Sequence, residues 1–316
     1  MIGMIDYVKL QTFSQPIIIH CKNLELLPDT PKKGRECWKI NERIKFEFRP
    51  VYEDSQIIGY NHLCIIIQPH FIFNDGIHNG NEFSDVQCIQ ILENIFQSID
   101  IESKQLVEFR ITSIEFGVNV IPKTDIKEIM NSIYYWKRKP FKRNKAKYSL
   151  ISITSLEKQI KTYAKGIDAV ERLKTDEVHP NTYRFEIKEK KSRKIKLTAD
   201  LLLKSETYNK FKHIIIEDFD FVLFLEQNIY KKSIHIKERR LLKEYQCLDT
   251  WKEFLNDKNR DKFNYNRKKY EEISSKYSTI KGEIRSLILK SFQNWKNSAK
   301  SPSKNTRYNI KYQTVN

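Results

Sequence analysis

The sequence predicts an α+β fold: a core built on an antiparallel sheet, followed by a basic and mostly helical region. Three observations carry that expectation. Short runs rich in Ile, Val, Phe and Tyr, bounded by Pro, Asp, Asn and Gly, fill the first third of the 316 residues. A helix, a strand and a second helix follow those runs, an order typical of α+β proteins. Hydrophobic residues at 40% and aromatics at 12% supply a sizeable core and argue against disorder.

Tyr7–Phe13, Pro16–Cys21, Arg43–Phe48 and Ile57–Ile67 read as strands. Arg43–Phe48 alternates charged and apolar residues, as a half-buried strand does. Cys64-Ile65-Ile66-Ile67 is continuously apolar, as in a central strand. Ser84 is a good N-cap for the first helix, with Asp85 in its first turn and Val86, Ile89, Ile91, Leu92, Ile95 and Phe96 as its apolar stripe. Strand character returns over Val107–Val120, where Ile114, Phe116 and Val118 alternate with Glu115, Gly117 and Asn119. Pro122–Asp125 stops that strand and starts a helix running to about Trp136. Lys137–Lys147 carries seven Lys/Arg and no acid, and Pro140 makes it a loop or strand edge. Strands follow at Tyr148–Ile153, Gln159–Tyr163 and Thr182–Lys188. Past residue 197, Leu201–Phe211, Ile234–Leu255 and Tyr277–Trp295 have helical spacing. The expected division is a core over 1–197, a basic helical region over 198–297 and a disordered tail over 298–316. No internal repeat is visible in the residues.

The net charge of +17 is unevenly spread. Residues 1–120 hold 11 Lys/Arg and 16 Asp/Glu, a balance of −5, whereas residues 121–316 hold 46 and 24, a balance of +22. A basic back of this kind points to a polyanion, and nucleic acid is the commonest one, through phosphate neutralisation and counterion release. AT-biased coding, which inflates Lys, Ile, Asn and Tyr together, is the alternative source of the excess. Tyr134, Tyr135, Trp136 and Phe141 interleave with the charge run, a mixture suited to stacking unpaired bases beside phosphate contacts; a solvated linker is the plainer reading. No stretch approaches the roughly 18 apolar residues that span a bilayer. The start, MIGMIDYVKL, has an acid and a lysine where a secretory segment needs apolar residues. The expectation is a cytoplasmic protein without a membrane partner. Cys21, Cys37, Cys64, Cys88 and Cys247 are odd in number, scattered and free of any CxxC spacing, so ordinary reduced thiols are expected.

Phosphate-binding glycine loops, a zinc-protease helix motif and a serine nucleophile elbow are all absent. Three segments carry a different signal. The first is Pro69-His70-Phe71-Ile72-Phe73-Asn74-Asp75-Gly76-Ile77-His78-Asn79-Gly80-Asn81-Glu82-Phe83-Ser84. The second is Ile114-Glu115-Phe116-Gly117-Val118-Asn119. The third runs from Tyr148 through Ile160-Lys161-Thr162-Tyr163-Ala164-Lys165-Gly166 to Tyr183-Arg184-Phe185-Glu186-Ile187-Lys188. In order and spacing they resemble a Bacteroidetes family of plasmid and phage replication initiation proteins, itself similar to rolling-circle initiators. The resemblance spans roughly residues 4–225. Ala164 stands where the family has aspartate, Phe71 where it often has lysine, and Ser149-Leu150-Ile151 follow Tyr148 where related initiators have a Tyr-x-Gly.

The resemblance implies an initiator-like antiparallel core, duplicated βαβ halves being one form of it. It further implies DNA as partner, single-stranded or as an origin duplex, with host replication proteins as further partners and a dimer as one oligomeric state. The implied activity is nicking of one strand by a tyrosine with Mg²⁺ or Mn²⁺, leaving a 5′-phosphotyrosyl link and a 3′-hydroxyl. The residue chemistry has its own logic. Breaking a phosphodiester while keeping its energy takes an oxygen nucleophile and a cation at the transition state. A tyrosine near pKa 10 needs basic neighbours or a metal to ionise. Tyr148 directly follows Lys142, Arg143, Lys145 and Lys147 and is the first candidate; Tyr163 is the second. A packed strand tyrosine with a wet hydroxyl is the ordinary alternative for either.

Glu115 and Glu186 each interrupt an apolar strand run, and a carboxylate there needs a cation or donor to meet it. With His70 as a third ligand they are the candidate hard-metal set. An Arg–Glu pair on a sheet face and a satisfied loop histidine are the structural alternatives. Candidate phosphate contacts are Lys137, Arg138, Lys139, Lys142, Arg143, Lys145, Lys147, Lys165, Arg184 and Lys188, with Arg239, Arg240, Lys268 and Lys269 in the helical region. A nucleic-acid binder without catalysis, using the same basic surface, is the competing function.

Overall fold

The computed structural model describes residues 5–144, 149–153, 157–190, 197–226, 234–257, 261–277 and 279–298. Strand-forming runs give β1 (Ile5–Thr12), β2 (Leu27–Pro28), β3 (Glu36–Asn41), β4 (Ile44–Glu53), β5 (Gln56–Ile67), β6 (Arg110–Val120), β7 (Ile133–Trp136), β8 (Lys139–Pro140), β9 (Lys142–Asn144), β10 (Ser149–Ile153), β11 (Lys158–Ala164), β12 (Tyr183–Lys190) and β13 (Val222–Phe224). The helices are α1 (Gln15–Lys22), α2 (Pro69–Phe73), α3 (Asp85–Ser98), α4 (Ile126–Ser132), α5 (Lys165–Asp168), α6 (Ser205–Asp220), α7 (Ile236–Gln246), α8 (Leu248–Asn256), α9 (Asp261–Ser275) and α10 (Ile280–Ser298). Ten strands pair into one antiparallel sheet in the order β2-β3-β4-β5-β1-β6-β12-β11-β10-β9, and β13-β7-β8 form a small second sheet. The α+β class is therefore the observed one.

Outward from the central β1/β6 pair, the sheet reads β1, β5, β4, β3, β2 on one side and β6, β12, β11, β10, β9 on the other. With the short elements β2, α2, β7, β8, β9 and α5 set aside, each half runs strand, helix, three antiparallel strands, helix: β1-α1-β3-β4-β5-α3, then β6-α4-β10-β11-β12-α6. The fold is thus a duplicated unit, although the residues display no repeat. What is repeated is pairing order and layering, which need only the burial pattern and not the residue identities.

Alternation along the strands fixes the layers, because successive side chains point to opposite faces. Val8, Leu10, Ile114, Phe116, Val118, Phe185 and Ile187 face the helices and are buried with Ile91 and Ile95 of α3, Ile129 of α4, Phe211 and Ile215 of α6, and Ile284 and Ile288 of α10. Each such side chain contributes about 1.5–3 kcal/mol by leaving water. Phe116 stacks on Phe211 with centroids 4.5 Å apart, tying the central strand to α6. The region over 198–297 is divided between two cores. Its α6 and α10 pack with the sheet, while Trp251, Phe263, Tyr270 and Leu242 of α7–α9 build an aromatic cluster with Tyr135 and Leu223. Glu283 holds α10 in place by accepting from the Lys123 amide and from Thr124 Oγ1 at 2.6 Å, and Arg285 grips Asp220 at 2.7 and 2.9 Å.

Local signals explain both agreements and corrections. Ser84 caps α3 through a reciprocal box with Gln87, at 3.2 and 2.8 Å. The expected strand at Pro16–Cys21 is instead α1. Pro16 sits in the first turn, where its missing N–H is harmless, and Ile17, Ile18 and Cys21 share the buried face. The helix expected to start after Pro122–Asp125 is α4, capped by Asp125, but it ends at Ser132 and Ile133–Trp136 becomes β7, paired with β13. The β-prone Tyr-Tyr-Trp run finds a strand partner 85 or more residues away, which local pattern cannot reveal. α9 was not expected; Phe263, Arg267, Tyr270 and Ile273 form its inner face. All five cysteines are free thiols, four buried and Cys247 exposed. Among the described residues no helix is long and apolar enough to cross a membrane.

Candidate functional site on the open sheet face

The face of the sheet away from the helices collects the polar half of each alternation. Strand register lines these residues into rows. One runs Lys142, Ile151, Lys161, Glu186, Gly117, and the next runs Asn144, Ser149, Tyr163, Arg184, Asn119. A third joins Gln159, Lys188, Glu115 and Tyr7. Gly117 is required in its row, since a Cβ there would stand 2.4 Å from the Phe185 carbonyl and 3.0 Å from Glu186 Cα. Over these rows lies a cavity of about 520 Å³, lined by Tyr7, Glu115, Lys161, Tyr163, Arg172 and Glu186 among others. Residues of α2 and α5, Phe71 and Asp168, line its rim.

The floor is a connected ionic network. Arg184 is fully buried and donates through Nε to Glu186 at 3.1 Å, through one terminal nitrogen to Asn119 at 2.7 Å and through the other to Asp6. Lys161 Nζ lies between two carboxylates, 2.6 Å from Glu186 and 3.0 Å from Glu115. Lys188 holds the other Glu115 oxygen and lies 5.0 Å from the Tyr7 ring. Lys165 Nζ donates to Asn79 at 2.5 Å and to Asp168 at 3.2 Å, and Arg172 grips Asp168 at 2.7 and 2.9 Å.

These neighbours set the protonation states. Burial, then the nearby Glu186, pushes the Glu115 carboxyl above the usual carboxylate range. Burial acts the same way on Glu186, but Lys161 and Arg184 outweigh it and hold that carboxyl well below the range. The phenol of Tyr163 donates to Glu186 Oε2 at 3.3 Å. Burial first, and Glu186 second, push its pKa well above that of a free tyrosine.

The candidate residues fall into three groups. Tyr163, Glu115 and Glu186 come together in the cavity. Tyr148, Lys145 and Lys147 lie outside the described residues; Ser149, the next residue after Tyr148, lines the cavity. His70 does not join the two glutamates. It is fully buried, with Nδ1 3.1 Å from Asp6, Nε2 2.9 Å from Asn81 and its ring stacked on Phe83 at 4.7 Å. That is the satisfied histidine of the structural alternative, and burial lowers its pKa. The Mg²⁺ or Mn²⁺ set does not fit the residues present. Lys161 fills the position between the carboxylates, and among the described residues no three His, Cys, Asp or Glu groups are placed to hold a metal ion.

The basic candidates also divide. Lys165 and Arg184 are fully buried in ion pairs, so neither is a surface phosphate contact. Arg143 turns its guanidinium to the carbonyls of Met130 and Ile133, capping α4, and covers the Tyr134 ring at 4.6 Å. Lys137 lies over Trp136 and Phe221, and Arg138 donates to the Leu255 carbonyl at 3.0 Å. Lys139, Lys142, Arg239, Arg240 and Lys268 are exposed, and Lys269 is half-buried. Of the four aromatics expected to stack bases, Tyr135, Trp136 and Phe141 are buried, and Tyr134 is half-buried under the Arg143 guanidinium. The network also recruits Asp6, Asn119, Lys161, Asp168 and Arg172, which were not singled out. Lys161 was legible in principle: it stands two residues before Tyr163 on one strand, hence on the same face. Asp6 and Asp168 come from distant segments and carry no such signal.

The sequence matches no protein-family model, and no curated protein matches it.

Proposed function

We propose that this chain is a DNA-binding replication initiation protein of a mobile element, and that the cavity on the open sheet face engages one DNA strand. The observation that carries the reading is the row Lys142, Ile151, Lys161, Glu186, Gly117, which joins an exposed basic edge strand to an ionic cavity holding a tyrosine hydroxyl. The basic balance of residues 121–316 supplies the long-range attraction, and the three segment resemblances supply the initiator class.

Nicking at this site requires a phenol oxygen to attack phosphorus and expel the 3′ oxygen, leaving a phosphotyrosine. For Tyr163 the proton passes to Glu186, its hydrogen-bond acceptor, and then to the departing 3′ oxygen. Lys161 offsets the charge that develops on the phosphate. A second reading, binding without cleavage, is favoured by the same residues: the Tyr163 phenol is held protonated and Glu186 is a weak base.

Two measurements test the proposal. Gel shifts across a salt series should give a steep slope, and Lys139→Glu with Lys142→Glu should reduce it by about 2, since each phosphate contact contributes nearly one. Incubation with single-stranded DNA, followed by a search for a covalent adduct, separates the two readings. An adduct lost in Tyr163→Phe or in Tyr148→Phe identifies the nucleophile, and no adduct under any condition leaves the binding reading. Failure to bind DNA at low salt refutes both.

A further inference from the structure

We infer that Lys161 is the resident cation of this site, and that the cavity takes a single phosphate group without a divalent metal. The observation is a complete accounting of acceptors. All eight carboxylate oxygens of Asp6, Glu115, Asp168 and Glu186 already accept from a donor of this chain. Asp6 is met by His70 and Arg184, and Glu115 by Lys161 and Lys188. Asp168 is met by Lys165 and Arg172, and Glu186 by Lys161 and by Arg184 with Tyr163. A hard metal ion needs several carboxylate or carbonyl oxygens at about 2.0–2.6 Å. Here it would have to displace an ammonium that bridges two carboxylates at 2.6 and 3.0 Å.

Charge balance gives the ligand. The ion pairs form two sets: Lys161, Arg184 and Lys188 balance Asp6, Glu115 and Glu186, and beside them Lys165 and Arg172 outnumber Asp168 by one. One positive charge is left over, the complement of one phosphodiester. A divalent ion between Glu115 and Glu186 would leave the balanced set around Lys161 with two positive charges in excess. Asp6, Glu115, Asp168 and Glu186 all line the cavity, each already paired with a cation, and of the five cations Lys161 and Arg172 line it, so these two are the groups a phosphate oxygen meets. The remaining cations act on the network rather than on the ligand. The choice of a phosphodiester rests on the DNA reading; the assignment of Lys161 as the cation does not.

The test uses the full chain and two probes. Mn²⁺ titration followed by electron paramagnetic resonance should find no stoichiometric site in the wild type. A dinucleoside monophosphate carrying one phosphodiester should bind equally with and without EDTA. Glu115→Gln removes one acid while Glu186 still pairs with Lys161, so it should bind that probe about fivefold more tightly or better, the effect of one unit charge near 4 Å in water. Lys161→Ala, which vacates the position between the glutamates, should gain a Mn²⁺ site; if it does not fold, the wild type and Glu115→Gln still decide. Stoichiometric Mn²⁺ binding by the wild type that is lost in Glu115→Gln overturns the cation assignment. Weaker probe binding by Glu115→Gln, or none by either protein, overturns the phosphate assignment. A protein that binds no DNA sinks the initiator reading, and the Mn²⁺ titration still reads Lys161.

Discussion

Replacing Arg184 by lysine tests whether the directed bonds of its guanidinium hold the buried network together. The guanidinium makes three directed bonds at once, to Glu186 at 3.1 Å, to Asn119 at 2.7 Å and to Asp6, with no exposed surface. A lysine keeps the charge but puts one compact ammonium where a planar fork stood, so it reaches at most one or two of these partners. The Asn119 oxygen and one carboxylate oxygen are then buried without a donor, at about 1–3 kcal/mol each. The expected loss is roughly 3 kcal/mol, in line with the cost of breaking a buried ion pair. With a urea slope of about 3 kcal/mol/M, the unfolding midpoint should fall by about 1 M. A midpoint within about 0.2 M of wild type, on the same slope of about 3 kcal/mol/M, would refute the network argument.

Two further outcomes follow from the same face. Glu47 is buried beside Lys9, Lys32 and Arg35; burial raises its pKa, but Lys32 and Lys9 overcome this and bring it from 4.5 to about 2. Because the folded value is the lower one, the contribution is full above pH 4.5 and is lost as pH falls toward 2, a change of roughly 3 kcal/mol. Unfolding midpoints of wild type and Glu47→Gln should therefore converge on acidification through that window, and parallel curves would count against it. Gly117→Ala puts a methyl 2.4 Å from the Phe185 carbonyl, a backbone atom that cannot swing aside. It should cost about 1–3 kcal/mol in the same urea assay, and an unchanged midpoint would mean that β6 and β12 are not this close.

The site has a consistent logic at three levels. Period-two alternation sends Glu115, Lys161, Tyr163, Arg184 and Glu186 to one face, register brings them into adjacent rows, and the pairing of opposite charges lets them stay there with little water. Lysine and arginine, abundant throughout the chain, serve two purposes. Some fill the network, and others, such as Lys139 and Lys142, remain exposed on the edge.

The sequence by itself determined the α+β class, the α3 cap at Ser84, the start of α4 at Pro122–Asp125 and the shared face of Glu186 and Arg184. These depend on contacts within a few residues, or on alternation along one strand, so they are written locally. Only the tertiary structure decided the duplicated strand order, the helical state of Pro16–Cys21, the burial of Lys165 and Arg184, and the partners of His70. Each depends on which distant segments meet: Asp6 is 64 residues from His70 and 178 from Arg184. Whether a charged side chain meets water or a buried carboxylate is settled by the strand that comes to lie beside it, and strand order is a property of the whole chain.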